Sequence, residues 1–355
     1  MSNQPLRITL PRPNGPAKRW GQSATQMAKQ RLRVAAIHRE SSDAVTLELE
    51  AVGGNPLSFK AGQYLTHCFE VDGVSHKRAY SISSAEGGRL ACTIKAVADG
   101  VVSGFVARQL QAGYEYAAFG PSGDFLLPAD AAAPLVFLAA GSGITPVISL
   151  VETALRQNPN RTIRLVYASR KQGEIIFEQR LAALAAQHPS MTVTHVLSKP
   201  KAGWKGEKKR LDGPRAAALL SPPADAHAYL CGPTELMDAT AAALTLPAAQ
   251  IHRERFFAAP KHTRTLPTSA QTIRFAKSGR NVTQRPGESV LDAGLREGLS
   301  LPFSCTVGGC AACKVKVLEG ELMHDEPNCL SAEERAQGYA LSCSSYCLTP
   351  TVIDA

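Results

Sequence analysis

The sequence predicts a multidomain protein: an antiparallel β-barrel, then a doubly wound α/β domain, then a small cysteine-bearing α+β domain. Three observations carry that reading. The chain has 355 residues, and single cores stop growing efficiently at roughly 250 to 300 residues. Short alternating apolar runs persist to about residue 129 and then give way to apolar strands alternating with helical stretches. Four of the nine cysteines, Cys305, Cys310, Cys313 and Cys343, stand near the C-terminus at an unequal spacing that suits metal ligation better than a disulfide framework.

Composition narrows the function. With 44% hydrophobic and 19% charged residues the chain has a core to bury. No apolar run reaches the roughly 18 residues of a membrane span, and the first thirty residues lack a signal core. The cysteine usage fits a reducing compartment, so a cytoplasmic, monomeric protein without a membrane span is expected. The formal charge of +9 is uneven: residues 268 to 355 hold 8 Lys+Arg and 10 Asp+Glu, net −2, which leaves +11 on the remainder. No aromatic-interleaved basic helix accompanies the excess, so nucleic acid is not the expected partner. The surplus suits anionic cofactors or a negatively charged protein.

Taken in order, residues 1–29 mix Pro, Gly, Lys and Arg without period and read as a flexible extension. Residues 30–129 hold the barrel, with runs such as Val45 to Glu50, Leu90 to Ala96 and Tyr114 to Phe119 and a turn at Gly53-Gly54-Asn55-Pro56. Residues 130–257 carry strand Leu135 to Ala140, helix Pro146 to Arg156, strand Ile163 to Tyr167, helix Ile175 to Gln187, and strands Thr192 to Leu197 and Ala228 to Cys231. That alternation predicts a parallel sheet. Residues 258–270 read as a linker and 271–355 as the cysteine-bearing domain.

Cys305, Cys310 and Cys313 form C-x4-C-x2-C, and Cys343 follows after 29 residues, which is the plant-type [2Fe-2S] spacing. The small residues Ser304, Gly308, Gly309, Ala311 and Ala312 let backbone N–H groups approach the sulfurs. Structural zinc is the alternative, but zinc modules pair two short-spaced couples, and here the fourth ligand stands alone. Cys329 and Cys347 are left over as ordinary thiols or a reserve ligand.

Arg78-Ala79-Tyr80-Ser81 ends a strand, and alternation sets Arg78 and Tyr80 on one side, facing a common ligand. Alone, such a pair is more often a surface cross-strand contact. Gly100 to Ser103 opens a helix some twenty residues on, whose first amides suit a pyrophosphate. Gly141-Ser142-Gly143-Ile144-Thr145-Pro146 lies between strand and helix, and Cys231-Gly232-Pro233 ends another strand at the edge where doubly wound sheets bind ligands. Ser169 and Arg170 follow a strand where a ribose is read, and Arg pairs with a 2′-phosphate, so NADPH is favoured over NADH; a solvated basic loop is the other reading. The basic stretch Lys199 to Arg215, with Trp204, reads as a solvated loop or a docking site for an acidic partner.

Over residues 32 to 355 these motifs resemble the ferredoxin-NADP reductase superfamily, in its oxygenase-reductase branch with a C-terminal β-grasp ferredoxin domain. The resemblance implies an NAD(P)H-dependent oxidoreductase with FAD, in preference to FMN, and a [2Fe-2S] cluster. It implies that Arg78 pairs with the flavin pyrophosphate, Tyr80 packs on the isoalloxazine and Ser81 hydrogen-bonds near N5, with Gly100 and Ser103 completing the phosphate grip. Gly141, Gly143 and Thr145 would line the dinucleotide site, and Cys231 would lie near the nicotinamide C4. His252 to Phe256 looks like the family's H-x-E-R-F segment, which returns to the flavin and carries Glu254 and Phe256; a buried strand end is the plainer reading. Ser81, Cys231 and Glu254 are the expected catalytic residues. Hydride would pass from the nicotinamide C4 to the flavin N5, and single electrons would leave through a cluster at about −400 mV. The expected acceptor is a terminal oxygenase component. The alternatives are another redox protein, such as a hybrid-cluster protein, and a non-enzymatic electron carrier.

Overall fold

A computed structural model describes residues 29–54, 56–256, 266–325 and 328–355. The N-terminal extension through residue 28 and the 258–265 part of the expected linker lie outside the described residues. Lys29–Phe256 forms one unit, and the residues after Phe256 belong to another.

The first unit begins with an antiparallel sheet of β1 (Lys29–Arg39), β2 (Ala44–Ala51), β3 (Tyr64–Val71), β4 (Val74–Ser81), β5 (Leu90–Lys95) and β6 (Glu115–Ser122). Its order is β4-β3-β6-β1-β2-β5, and an Ile82–Cys92 bridge joins the two edges into a barrel. The β3–β4 hairpin turns on Asp72 and Gly73, both at positive φ, which matches the twist of the flanking strands. Leu65 and Phe69 of β3 point inward into an apolar core with Leu47, Ile94 and Tyr116. Helix α1 (Val101–Arg108) follows Gly100, where a Cβ would lie 2.3 Å from the Ser103 hydroxyl and force the Ser103 and Val97 side chains to shift.

The same unit continues into an all-parallel sheet of β7 (Leu135–Ala140), β8 (Ile163–Ser169), β9 (Met191–Leu197), β10 (Glu207–Lys208), β11 (His227–Cys231) and β12 (Ile251–Glu254), in the order β10-β9-β8-β7-β11-β12. The order reverses between β7 and β11. Helices α2 (Ile144–Gln157) and α3 (Glu178–Gln187) pack in a core on one face, which also takes in Ala44, Ala61 and Phe125. Helices α4 (Gly213–Leu220) and α5 (Thr234–Ala243) pack in a second core on the other face. The sheet is therefore covered on both sides, as its nearly continuous apolar strands require.

Two sequence expectations change here. The helix expected from Ile175 begins at Glu178, because Ile175, Ile176 and Phe177 form a buried turn with Phe177 at φ 62°. Their apolar run imitates a helical face. The stretch from Lys199 is not simply a solvated loop: β10 pairs with β9, and Trp204 packs on the core while its Nε1–H donates to the Glu207 carbonyl at 3.1 Å.

Between the two sheets runs a short connector held by Arg161. This side chain is 1% exposed, and its Nε and Nη2 donate to the carbonyls of Ala133 and Asp130, each at 2.8 Å. The Tyr229 hydroxyl donates to the Leu126 carbonyl at 2.7 Å.

The second unit is a mixed sheet in the order β14-β13-β19-β15-β17, built from β13 (Gln271–Phe275), β14 (Arg280–Gln284), β15 (Lys314–Glu319), β17 (Tyr339–Leu341) and β19 (Thr351–Asp354). The small pair β16 (Leu322–His324) and β18 (Ser345–Cys347) lies beside it. Helix α6 (Val290–Arg296), capped by Ser289, packs so closely that a Cβ on Gly294 would meet the Phe275 ring at 3.1 Å. Helix α7 (Ala332–Ala336) has a full capping box from Ser331 and Glu334.

Candidate cofactor sites

β4 carries Arg78 and Tyr80 on one side, as alternation requires, and the register pairs them with His67 and Leu65 of β3. The Arg78 guanidinium donates to the Lys77 carbonyl at 2.7 Å and has no carboxylate partner among the described residues. Burial pushes its pKa down, partly offset by Tyr80, and burial pushes the Tyr80 hydroxyl up to about 12. A half-buried guanidinium without an acid is what an anionic cofactor needs opposite its phosphates. Ser81 is buried at the strand end. Ser103 is buried too, and its hydroxyl accepts the Val97 N–H at 3.3 Å, so it shapes the turn before α1.

At the reversal of strand order, Gly141 takes φ 55° and accepts the Tyr167 hydroxyl on its carbonyl at 3.0 Å. Gly143 sits against the carbonyl end of β11, and the Thr145 hydroxyl donates to the Ser142 carbonyl at 3.0 Å. No side chain caps α2, and the Ile144 N–H at its start is bonded to the Gly141 and Ser142 carbonyls within the turn. Cys231 is fully buried, and burial, with the Glu254 charge across the β11–β12 pair, holds its thiol well above its ordinary pKa. Burial thus favours the neutral form of this thiol. Glu254 is half-buried at the end of β12, an edge strand, and Phe256 beyond it is 43% exposed. Ser169 is buried at the end of β8 and Arg170 is exposed.

Four of the six cysteines of the second unit form two pairs. The Cys305 N–H donates to Cys310 Sγ at 3.4 Å, the Gly309 N–H donates to Cys305 Sγ at 3.2 Å, and the Cys313 and Cys343 sulfurs lie 3.2 Å apart. Two thiols per iron suit a binuclear cluster. Thr306, Gly308 and Ala311 all take positive φ, which bends the loop around the sulfurs. The Cys305 thiol is pushed up first by its hydrogen bond with Cys310, and Cys343 by that with Cys313, burial adding to both. Four thiolates would repel one another there, and the irons of a [2Fe-2S] cluster would supply the compensating charge. The buried hydroxyls of Ser342 and Ser344 have no partner among the described residues and flank Cys343, where cluster sulfurs would accept them.

Sequence reasoning missed these two serines, although hydroxyls on both sides of a ligand cysteine are a readable signal. It also missed that Lys199 joins Arg170. Its N–H donates to the Arg170 carbonyl at 2.8 Å, a contact that only the β8–β9 register reveals.

Comparison with known proteins agrees domain by domain. Residues 31–126 match the oxidoreductase FAD-binding domain, 137–242 the oxidoreductase NAD-binding domain and 273–348 the 2Fe-2S iron-sulfur cluster binding domain. The chain is 32% identical to a subunit of the 1,2-phenylacetyl-CoA epoxidase of Escherichia coli, over 91% of this chain and 96% of that one. It is also 32% identical to the ferredoxin reductase component of 3-ketosteroid-9-alpha-monooxygenase of Mycolicibacterium smegmatis, over 88% and 93%. Among solved structures, phthalate dioxygenase reductase superposes with a TM-score of 0.73 at 25% identity, covering 94% of this chain and all of that one. The chain thus belongs to the oxygenase-reductase branch of the ferredoxin-NADP reductase superfamily, as an NAD(P)H-dependent oxidoreductase with FAD and [2Fe-2S] domains.

Proposed function

We propose that this chain is the reductase component of a multicomponent oxygenase, that it draws on NADPH, and that it works as a cytoplasmic monomer. The names of its relatives support the oxygenase: they are a component of an epoxidase and a monooxygenase reductase component. One observation carries the dinucleotide. Arg170 and Lys199 are tied together at the carboxyl ends of β8 and β9, with Lys171 and Lys201 beside them in sequence, and all four are exposed. A cluster of cations at that edge suits a 2′-phosphate. No helix among the described residues is long and apolar enough to cross a membrane.

FAD, when bound, exchanges a hydride for single electrons, and the cluster carries one electron at a time. The residues proposed to serve them have distinct tasks. Arg78 and the amides after Gly100 hold phosphate, with Ser103 shaping that turn. Tyr80 covers the ring and Ser81 hydrogen-bonds near its reacting edge. Gly141, Gly143 and Thr145 shape the dinucleotide turn. Cys231 and Glu254 stand at the nicotinamide end as a neutral thiol and a carboxylate, and Phe256 returns to the flavin. Cys305, Cys310, Cys313 and Cys343 ligate the irons.

Anaerobic titration of the purified chain with NADPH and, separately, NADH tests the whole reading. Flavin bleaching followed by a rhombic [2Fe-2S] electron paramagnetic resonance signal, faster with NADPH, is expected. No bleaching with either nucleotide would sink it.

A further inference from the structure

His67 is a buried polar residue to which the cofactor assignments give no task. It is 0% exposed, and burial lowers its pKa to about 3, so the imidazole is neutral at working pH. Its ring stacks with Phe69 at 5.5 Å and with Tyr116 at 5.6 Å, and lies 5.6 Å from the Tyr80 ring at 58°. Nδ1 is 2.8 Å from the Tyr116 hydroxyl, and Nε2 has no partner among the described residues.

The network fixes the tautomer. The Tyr116 hydroxyl has no acceptor other than Nδ1 among the described residues. If it donates there, one group stays unsatisfied, the Nε2–H. If Nδ1 carried the proton instead, both the hydroxyl hydrogen and Nε2 would be stranded. The first arrangement leaves fewer orphans and is therefore favoured. His67 thus presents a buried N–H donor with nothing to receive it among the described residues, a costly feature beside the apolar side chains of the barrel core.

Position says what would receive it. The β3–β4 register sets His67 directly across from Arg78, on the same face and one strand further in. Arg78 is the cation without a carboxylate. We propose that His67 is a flavin-binding residue of this chain, whose Nε2–H is satisfied only when a phosphate oxygen of the flavin occupies the Arg78 face. The half-buried Tyr80 ring, two residues along β4 from Arg78, lies against His67 on this same face. A neutral donor behind a single arginine adds a hydrogen bond without placing a second positive charge in the barrel core.

The inference rests on the flavin reading, and its test separates the two. Full-length wild-type protein stripped of flavin is titrated with FAD beside H67F/Y116F, which removes both polar groups and keeps the stacked rings, and beside H67Q, which restores a side-chain N–H. The double variant is expected to bind FAD about tenfold more weakly or worse. Its ligand-free thermal midpoint should equal or exceed that of wild type, and H67Q should recover part of the affinity. Affinity and stability then move in opposite directions, which a residue that merely packs the core would not produce. Wild-type affinity in H67F/Y116F, or a parallel fall of stability and affinity without rescue by H67Q, would overturn the proposal. Failure of the wild-type chain to take up FAD would instead remove the flavin reading itself.

Discussion

Gly143 lies so close to Cys231 that a Cβ added to it would come within 2.1 Å of the Cys231 carbonyl oxygen and 2.6 Å of its carbon. Two strands are involved: the turn after β7 rests on the end of β11, at the reversal of strand order where the dinucleotide site is proposed. The obstruction is backbone and cannot swing aside. Gly143→Ala is therefore expected to destabilise the first unit by about 2 kcal/mol, as overpacking does. It should also raise the KM for the nucleotide. A thermal melt together with steady-state kinetics checks both.

Arg78 has no acid to lose, so Arg78→Gln should leave the ligand-free fold nearly as stable as before. Flavin affinity should fall roughly tenfold to a hundredfold, the worth of a charge-assisted hydrogen bond or two. The flavin-to-protein ratio after gel filtration, read against the melting curve, reports both quantities.

Replacing Cys343 with Ala removes one of the four sulfurs. Iron content and the electron paramagnetic resonance signal should disappear, while reduction of the flavin by nucleotide, followed by its visible absorbance, should persist at close to the wild-type rate. Loss of both activities together would show that the two units are not functionally separable.

Removing the cations at the ends of β8 and β9 in an Arg170→Ala, Lys199→Ala double variant should raise the KM for NADPH about tenfold. That for NADH should be left unchanged. Equal effects on the two nucleotides would remove the assignment of a 2′-phosphate site.

Stability should fall in mild acid. His67 is held by burial near pKa 3, and His324 of the second unit is held by burial near 4, with the Arg335 charge adding to the shift. Both have folded values below the ordinary 6.5 of an exposed imidazole. The unfolded chain then binds protons that the native one refuses. Stability contributed by the neutral rings is complete above pH 6.5 and declines as pH falls toward 3 to 4. Each histidine contributes a slope of up to about 1.4 kcal/mol per pH unit. Denaturant unfolding of the ligand-free protein between pH 7 and pH 5 measures the slope, and H67F/Y116F should flatten the share of the first unit.

Much of this is legible in the sequence alone. The candidate cluster cysteines announce themselves by spacing: three lie within one short loop and the fourth follows after 29 residues. The glycine turn after β7 and Arg78-Ala79-Tyr80-Ser81 are likewise local. What could not be read depends on partners distant in the chain. Ile175, Ile176 and Phe177 are apolar because they are buried in a turn, and apolar residues in a row look helical. His67 gains its meaning only from Arg78 across the strand pair and Tyr116 on the next strand, and Lys199 only from the register of β8 with β9. Arg161, a charged residue in an ordinary-looking position, gave no signal that it is sealed inside.

That sealed guanidinium has an engineering consequence. Arg161 clasps the Ala133 and Asp130 carbonyls while Tyr229 clasps that of Leu126, so the segment joining barrel to parallel sheet is fastened by side chains from the sheet half alone. A chimera that grafts the nicotinamide half of one relative onto the barrel of another should therefore be cut before residue 126, not at the more obvious start of β7. The strap has to travel with its buckle.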